Sequence, residues 1–180
     1  MERLIKSLKE SPIVKKRDYS YVVHPLTDGI PFIEPSLLEE VVDEIAKKMP
    51  SCNRIVTMEA MGIPIATLLA AKTGIPFTII RKRKYGLHGE KEVVQKTGYG
   101  EAKLYINGIK KGDEIVIVDD VISTGGTLIA VVEALKEIGA IIKGIFIAIN
   151  KGNKKEIERK IGMEITTLVN IAVNDEVKIL

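Results

Sequence analysis

The chain has 180 residues, 46% hydrophobic and 28% charged, with a formal net charge of +3. This suits one soluble globular domain with a sizeable core. Acidic and basic residues are interspersed, so the small positive charge does not mark a nucleic-acid binder, and no apolar run approaches the roughly 20 residues that span a bilayer.

Cys52 is the only cysteine. No intrachain disulfide is possible, which fits a reducing cytoplasm. Cys52 reads as a small residue ahead of a strand, not a catalytic thiol. The first residues mix bases with Glu2 and Glu10 and lead into no long apolar stretch. They predict a short helix, not a targeting segment.

From His24 to Pro35 the chain carries Pro25, Pro31 and Pro35 with Gly29, which predicts an extended, irregular stretch. Leu37, Leu38, Val41, Val42 and Ile45 then recur at helical spacing, with Ser36 as a plausible N-cap. An alternation follows. Strands are expected at Arg54–Met58, Pro76–Ile80, Lys103–Ile106, Glu114–Val118, Gly144–Ile149 and Glu164–Ile171. Helices are expected at Ile63–Lys72, Gly126–Ile138 and Lys154–Ile161, with Pro64 in the first turn of one and Gly74 at its end. Apolar strands alternating with amphipathic helices predict an α/β fold, a mostly parallel sheet covered on both faces. Arg81 to Ala102 breaks the alternation. It is rich in Lys, Gly and Glu, without apolar periodicity, and a loop that long in a compact domain is functional or disordered.

The chemistry concentrates in Ile115-Val116-Ile117-Val118-Asp119-Asp120-Val121-Ile122-Ser123-Thr124-Gly125-Gly126-Thr127. A buried strand ends in two carboxylates, and a Ser/Thr/Gly loop leads into a helix. Ligands of open α/β sheets bind at the carboxyl ends of strands. Loop amides and a helix N-terminus suit a phosphate, and glycines allow close approach. Two adjacent acids are reasonable there if they accept hydrogen bonds from sugar hydroxyls or sit near a metal. The local chemistry is that of a phosphorylated sugar. The alternative is an ordinary strand-to-helix turn with an acidic pair. Neither a Walker motif nor a Gly-x-Gly-x-x-Gly turn is present.

Val116–Thr127 resembles the 5-phosphoribosyl-1-pyrophosphate (PRPP) motif of class I phosphoribosyltransferases. His24-Pro25-Leu26-Thr27-Asp28-Gly29-Ile30-Pro31-Phe32 is similar to the N-terminal segment of the adenine enzymes. Glu59-Ala60-Met61-Gly62 resembles their pyrophosphate loop, and Arg81-Lys82 with the polar stretch to Tyr99-Gly100 their catalytic loop. The overall plan is most similar to the archaeal hypoxanthine/guanine group. The resemblance implies a single class I domain: an N-terminal helix and hood over 1–35, an α/β core over 36–180 and a lid over about 83–100. It implies that Asp119 and Asp120 hold the ribose hydroxyls, and that Ser123, Thr124, Gly125, Gly126 and Thr127 hold the 5′-phosphate. Glu59, Ala60, Met61 and Gly62 would face the pyrophosphate, with charge from Lys82. Mg²⁺ would ride on PRPP, and the enzyme would be a cytoplasmic homodimer with no nucleic-acid or membrane partner.

The chain departs from the family pattern at Met61, where an Arg is usual, at Ser123, where some 6-oxopurine enzymes have Asp, and at Gly98, where adenine enzymes have Glu. The general base stays unassigned; Glu90, Glu92 and Glu101 read as solvated loop charges. Lys151 follows a strand on the PRPP side and resembles the lysine that donates to the purine O6, which implies hypoxanthine and guanine as substrates and IMP and GMP as products; a plain surface lysine is the alternative. Asp175 is a candidate acceptor for a guanine amino group. Two other functions stay open: an adenine enzyme, and a non-catalytic PRPP-sensing regulator.

Overall fold

The computed structural model describes residues 1–16, 19–97 and 100–180, with side chains described for all of these except 16, 95–97, 100 and 101. Six strands form the main sheet: β3 (Arg54–Met58), β4 (Phe77–Ile80), β7 (Glu114–Ile122), β8 (Ile141–Asn150), β9 (Thr166–Val173) and β10 (Val177–Ile179), in the order β10-β9-β8-β7-β3-β4. All neighbours are parallel except the β9–β10 pair. The parallel sheet expected from the alternation is therefore the fold, with one antiparallel edge strand beyond it.

Alternation along β7 shows how the strand is buried on both faces. Val116 and Val118 join a core on one face with Leu4, Val41, Val42, Ile45, Ile55 and Ile65. Ile115 and Ile117 join a core on the other face with Val131, Val132, Leu135, Ile145 and Ile147. Helices α1 (Glu2–Glu10), α3 (Pro35–Lys48) and α4 (Gly62–Thr73) supply the first; α5 (Gly126–Ile138) and α6 (Lys154–Ile161) supply the second.

Several boundaries differ from expectation. Helix α3 begins at Pro35, with Glu34 as its N-cap and no side-chain cap bond, so Ser36 lies inside the helix. Proline is pre-organised for the first helical position, which moves the start forward. The stretch expected to be irregular holds a short helix, α2 (Pro25–Asp28), capped by His24 Nδ1, which accepts from Leu26 N–H at 3.2 Å. Before it, β1 (Ile13–Lys16) and β2 (Tyr19–Val22) form an antiparallel ribbon that the sequence pattern did not reveal. The segment read as a loop over Arg81–Ala102 contains β5 (Lys91–Thr97), paired antiparallel with β6 (Gly100–Ile106). Val93, Leu104 and Ile106 tie this ribbon to the second core. Among the described residues no helix is long and apolar enough to cross a membrane.

Candidate active site

Strands β3, β7 and β8 are neighbours, and their carboxyl ends open on one edge of the sheet. A cleft of about 960 Å³ lies there, with walls from β2, β3, β7, the loop before α5, the β8–α6 loop and the β5–β6 ribbon. The sequence-predicted Glu59, Ala60, Lys82, Asp119, Asp120, Ser123 to Thr127 and Lys151 all line it.

β7 does not stop at Val118. Its pairing with β8 continues through Asp119↔Ile147, Val121↔Ile149 and Ile122↔Asn150, so both acids are strand residues and point to opposite faces. Asp119 Oδ1 accepts from Asp120 N–H at 3.1 Å. Burial raises both carboxyls above the usual carboxylate range, and for Asp120 the Asp119 charge adds to the effect. Behind Asp119 lies Gly62. A Cβ there would stand 2.1 Å from Thr57 Oγ1 and 2.5 Å from Asp119 Oδ1, so only glycine fits.

The loop after β7 turns at Gly125, which has φ +74 and is the N-cap of α5. A Cβ on Gly125 would meet Ile157 Cδ1 at 2.6 Å. Glycine thus serves twice, in conformation and in packing against α6. Gly125 brings no capping side chain to the first turn of α5. The helix therefore presents its N-terminal N–H groups at the cleft edge, where an anion is favoured.

On the β3 side, the Glu59–Ala60 peptide is cis. Glu59 Oε1 accepts from Lys82 N–H at 3.0 Å, and Oε2 pairs with the Arg81 guanidinium. The Arg81 backbone is in turn bridged to Tyr105 of β6, with Arg81 N–H donating at 3.1 Å and Arg81 O accepting at 2.7 Å. Arg81 is thus spent on Glu59, and Lys82 is the exposed cation on this wall. Met61 does not line the cleft; its methyl would lie 3.5 Å from a Cβ on Gly29.

At the third strand, Lys151 N–H donates to Ile122 O at 2.8 Å. Gly152 N–H donates to Asn150 Oδ1 at 3.0 Å, and Asn150 Nδ2 donates to Asn170 Oδ1 at 3.0 Å. The Lys151 ammonium lies 4.9 Å from the centroid of the Tyr21 ring. Burial depresses its affinity for the proton, against the pull of Asp28 and Asp120. Among the described residues it has no hydrogen-bond or ion-pair partner.

Sequence reasoning gave no role to Tyr21, which lines the cleft from β2. A signal existed: Tyr19 and Tyr21 are two of five tyrosines, spaced as same-face residues of a strand. The acids considered as bases have other work. Glu90 accepts from Tyr85 N–H, Gly86 N–H and Asn107 Nδ2, each at 2.9 Å, and Glu92 pairs with Lys103 at 2.9 Å. Asp175 is exposed, paired with Lys15 at 2.9 Å, and does not line the cleft. Gly98, Tyr99 and the side chain of Glu101 lie outside the described residues.

The phosphoribosyl transferase domain model matches residues 36–179. A Methanothermus fervidus protein named hypoxanthine/guanine phosphoribosyltransferase is 53% identical over 184 residues, covering 100% of this chain and 97% of that one. One of that name from Methanocaldococcus infernus is 57% identical over 176 residues, 96% of each. In fold the chain is similar to the adenine phosphoribosyltransferase of Thermoanaerobacter pseudethanolicus, with a TM-score of 0.76 at 21% identity over 94% of this chain and 99% of that one. The Saccharomyces cerevisiae adenine enzyme, solved with adenine and an imino-altritol bisphosphate, gives 0.75 at 20% identity over 93% and 99%. With a family model over most of its length and relatives identical at half their positions, this chain belongs to the phosphoribosyltransferase family.

Proposed function

We propose that this chain is a purine salvage enzyme that transfers the phosphoribosyl group of PRPP to hypoxanthine or guanine, giving IMP or GMP and pyrophosphate. The full-length relatives carry the name hypoxanthine/guanine phosphoribosyltransferase. The observation that carries the base assignment is the Lys151 ammonium, half-buried at the cleft wall with its donors unspent. An ammonium only donates, so it suits the O6 of a 6-oxopurine and not the 6-amino group of adenine.

The rest of the cleft supports the remaining roles. Asp119 and Asp120 accept from the ribose 2′- and 3′-hydroxyls. Ser123 to Thr127, with the N-terminus of α5, hold the 5′-phosphate. Glu59 and Ala60 line the pyrophosphate side; Met61 and Gly62 shape that turn from behind, and Lys82 supplies charge. The C1–O bond breaks with its electron pair leaving on pyrophosphate, the base nitrogen bonds to C1, and the nitrogen sheds its proton. The chain must neutralise the leaving group and exclude water from the cationic sugar; the segment over 83–100 is the proposed lid.

Among the described residues no cluster of three metal-ligating side chains exists. Two adjacent, largely buried carboxylates with raised proton affinity fit a cation that arrives on its substrate, not a protein cage. Mg²⁺ bound with PRPP would offset pyrophosphate charge beside Asp119 and Asp120. Cytoplasmic placement and homodimer assembly belong to this proposal on family likeness.

The test is pyrophosphate release from PRPP and Mg²⁺ with each purine in turn. Hypoxanthine and guanine should be used well and adenine about ten- to a hundredfold less, since a buried donor facing the amino group goes unsatisfied. Adenine used as efficiently as hypoxanthine would make this an adenine enzyme. No turnover with any purine would favour the PRPP-sensing regulator.

A further inference from the structure

The ammonium of Lys151 has carboxylates near it, yet it makes a direct ion pair with none of them among the described residues. It is held over an aromatic face instead. Tyr21 comes from β2 in the hood and Lys151 from the β8–α6 loop in the core, so the contact crosses between separate parts of the fold. A lysine on a flexible four-carbon stem has many poses, and a ring at 4.9 Å selects among them.

The ring itself is fixed. Tyr21 Oη donates to Asp28 Oδ1 at 2.5 Å. Asp28 Oδ2 accepts from Thr27 Oγ1 at 2.6 Å and from His24 N–H at 2.9 Å. Burial alone would raise the Asp28 carboxyl, but these three donors hold it below the usual range. The bond to Asp28, with burial, pushes the Tyr21 phenol up to about 12, so it stays a donor. His24 is fully buried, and desolvation lowers it to about 4. Its Nδ1 accepts from Leu26 N–H, so in the neutral ring Nε2 carries the proton and donates to Ser7 Oγ at 2.9 Å. Ser7 sits on α1, whose N-terminal amides Arg3 N–H and Leu4 N–H donate to Glu40 of α3 at 3.1 and 3.0 Å. Hydrogen bonds, joined through helix α1 and through His24 itself, thus link Glu40 of α3 to the ring under Lys151.

We propose that Tyr21 and Asp28 are positioning residues for Lys151: the phenol ring, tethered to Asp28, holds the ammonium in the pose that separates a 6-oxopurine from a 6-aminopurine. The inference rests on the base assignment above. Asp28 and Asp120 supply a field that keeps the cation in the cleft, while the ring replaces the direct salt bridge that would occupy its donors. A hood that moves relative to the core would thereby switch Lys151 between aimed and slack states.

The experiment is a double-mutant cycle between Tyr21 and Lys151 in the full-length enzyme, with kcat/KM measured for hypoxanthine and for adenine and KM for PRPP. Tyr21→Leu removes the ring, and the preference for hypoxanthine should fall about tenfold. Tyr21→Phe keeps the ring and cuts only the tether; the preference should fall about threefold, and this variant is the one expected to keep the fold if Tyr21→Leu does not. KM for PRPP should stay within about twofold in both. In a Lys151→Met background neither Tyr21 change should alter the preference further. If the effects of Tyr21 and Lys151 are independent, or if Tyr21 variants depress both bases equally, the ring acts on the base or on the fold and the proposal is overturned, with the base assignment intact. An unmutated enzyme that shows no preference for hypoxanthine overturns the base assignment itself and the proposal with it.

Discussion

Gly152 lies so close beneath the carbonyl of Ser123 that a Cβ on it would stand 1.8 Å from the oxygen and 2.7 Å from the carbon. The loop after β7 and the loop after β8 are therefore in backbone contact, and Lys151 stands next to that contact. Gly152→Ala must push the two loops apart, at a cost of about 1–3 kcal/mol. We expect it to lower kcat/KM by about a hundredfold, because a shift of an ångström at the site is enough. Steady-state kinetics beside a thermal melt check this; unchanged kinetics would mean that the two loops move freely.

Asp119→Asn and Asp120→Asn should each keep the fold and lose activity about ten- to a hundredfold, the value of a hydrogen bond to a charged group. Stability should move the other way. The folded-state carboxyls are raised, so their favourable contribution is full below the ordinary carboxylate range and is lost as pH climbs through the raised value. An amide carries no such loss. Asp120→Asn should therefore melt higher than the unmutated protein at pH 8, by about 2–4 °C per kcal/mol recovered, and the gap should close towards pH 4. Melting curves across that range decide it.

Glu59→Gln removes the charge that holds Arg81 and weakens the seat of the Lys82 backbone. KM for PRPP should rise about tenfold while KM for the purine stays within about twofold. A fall in KM for PRPP would show instead that a released Arg81 adds to the pyrophosphate site.

Residues 82–89 are exposed and contain Lys82, Arg83 and Lys84. Limited trypsin digestion should cut there first, because few apolar contacts hold the stretch. PRPP with Mg²⁺ should slow the cut. Equal rates with and without ligand would remove the lid role.

The main sheet and its helices were legible because each buries an apolar pattern against one core. β3, α5 and α6 have the bounds that periodicity gives, and Gly74 ends its helix as expected, in the left-handed conformation that Gly139 also adopts at the end of α5. Of the two ribbons only the Lys103–Ile106 part of β6 was legible; β1, β2 and β5 lie outside the main sheet and bury few of their residues. In β5 (Lys91–Thr97), Val93 is buried while Val94 beside it is exposed, too short a signal among lysines and glutamates. The extension of β7 through the acid pair depends on backbone pairing with β8, which side-chain pattern does not encode. The acids, phosphate loop and Lys151 were legible as a motif. Tyr21 and Asp28 were not given roles, because their meaning comes from a contact between hood and core.

Strand order sets a scale on the cleft. The Glu59 turn leaves β3, the acids and phosphate loop leave β7, and Lys151 leaves β8, three strands side by side. Neighbouring strands repeat at about 4.8 Å, so the outer two sit roughly 10 Å apart however the loops vary. Under the proposed roles the sheet acts as a ruler for its substrates: leaving group, sugar and base are read at successive graduations. Changing the base then requires new lettering at only one mark, the tip of β8, while the spacing that brings C1 to the attacking nitrogen is kept by the hydrogen-bonded ladder beneath.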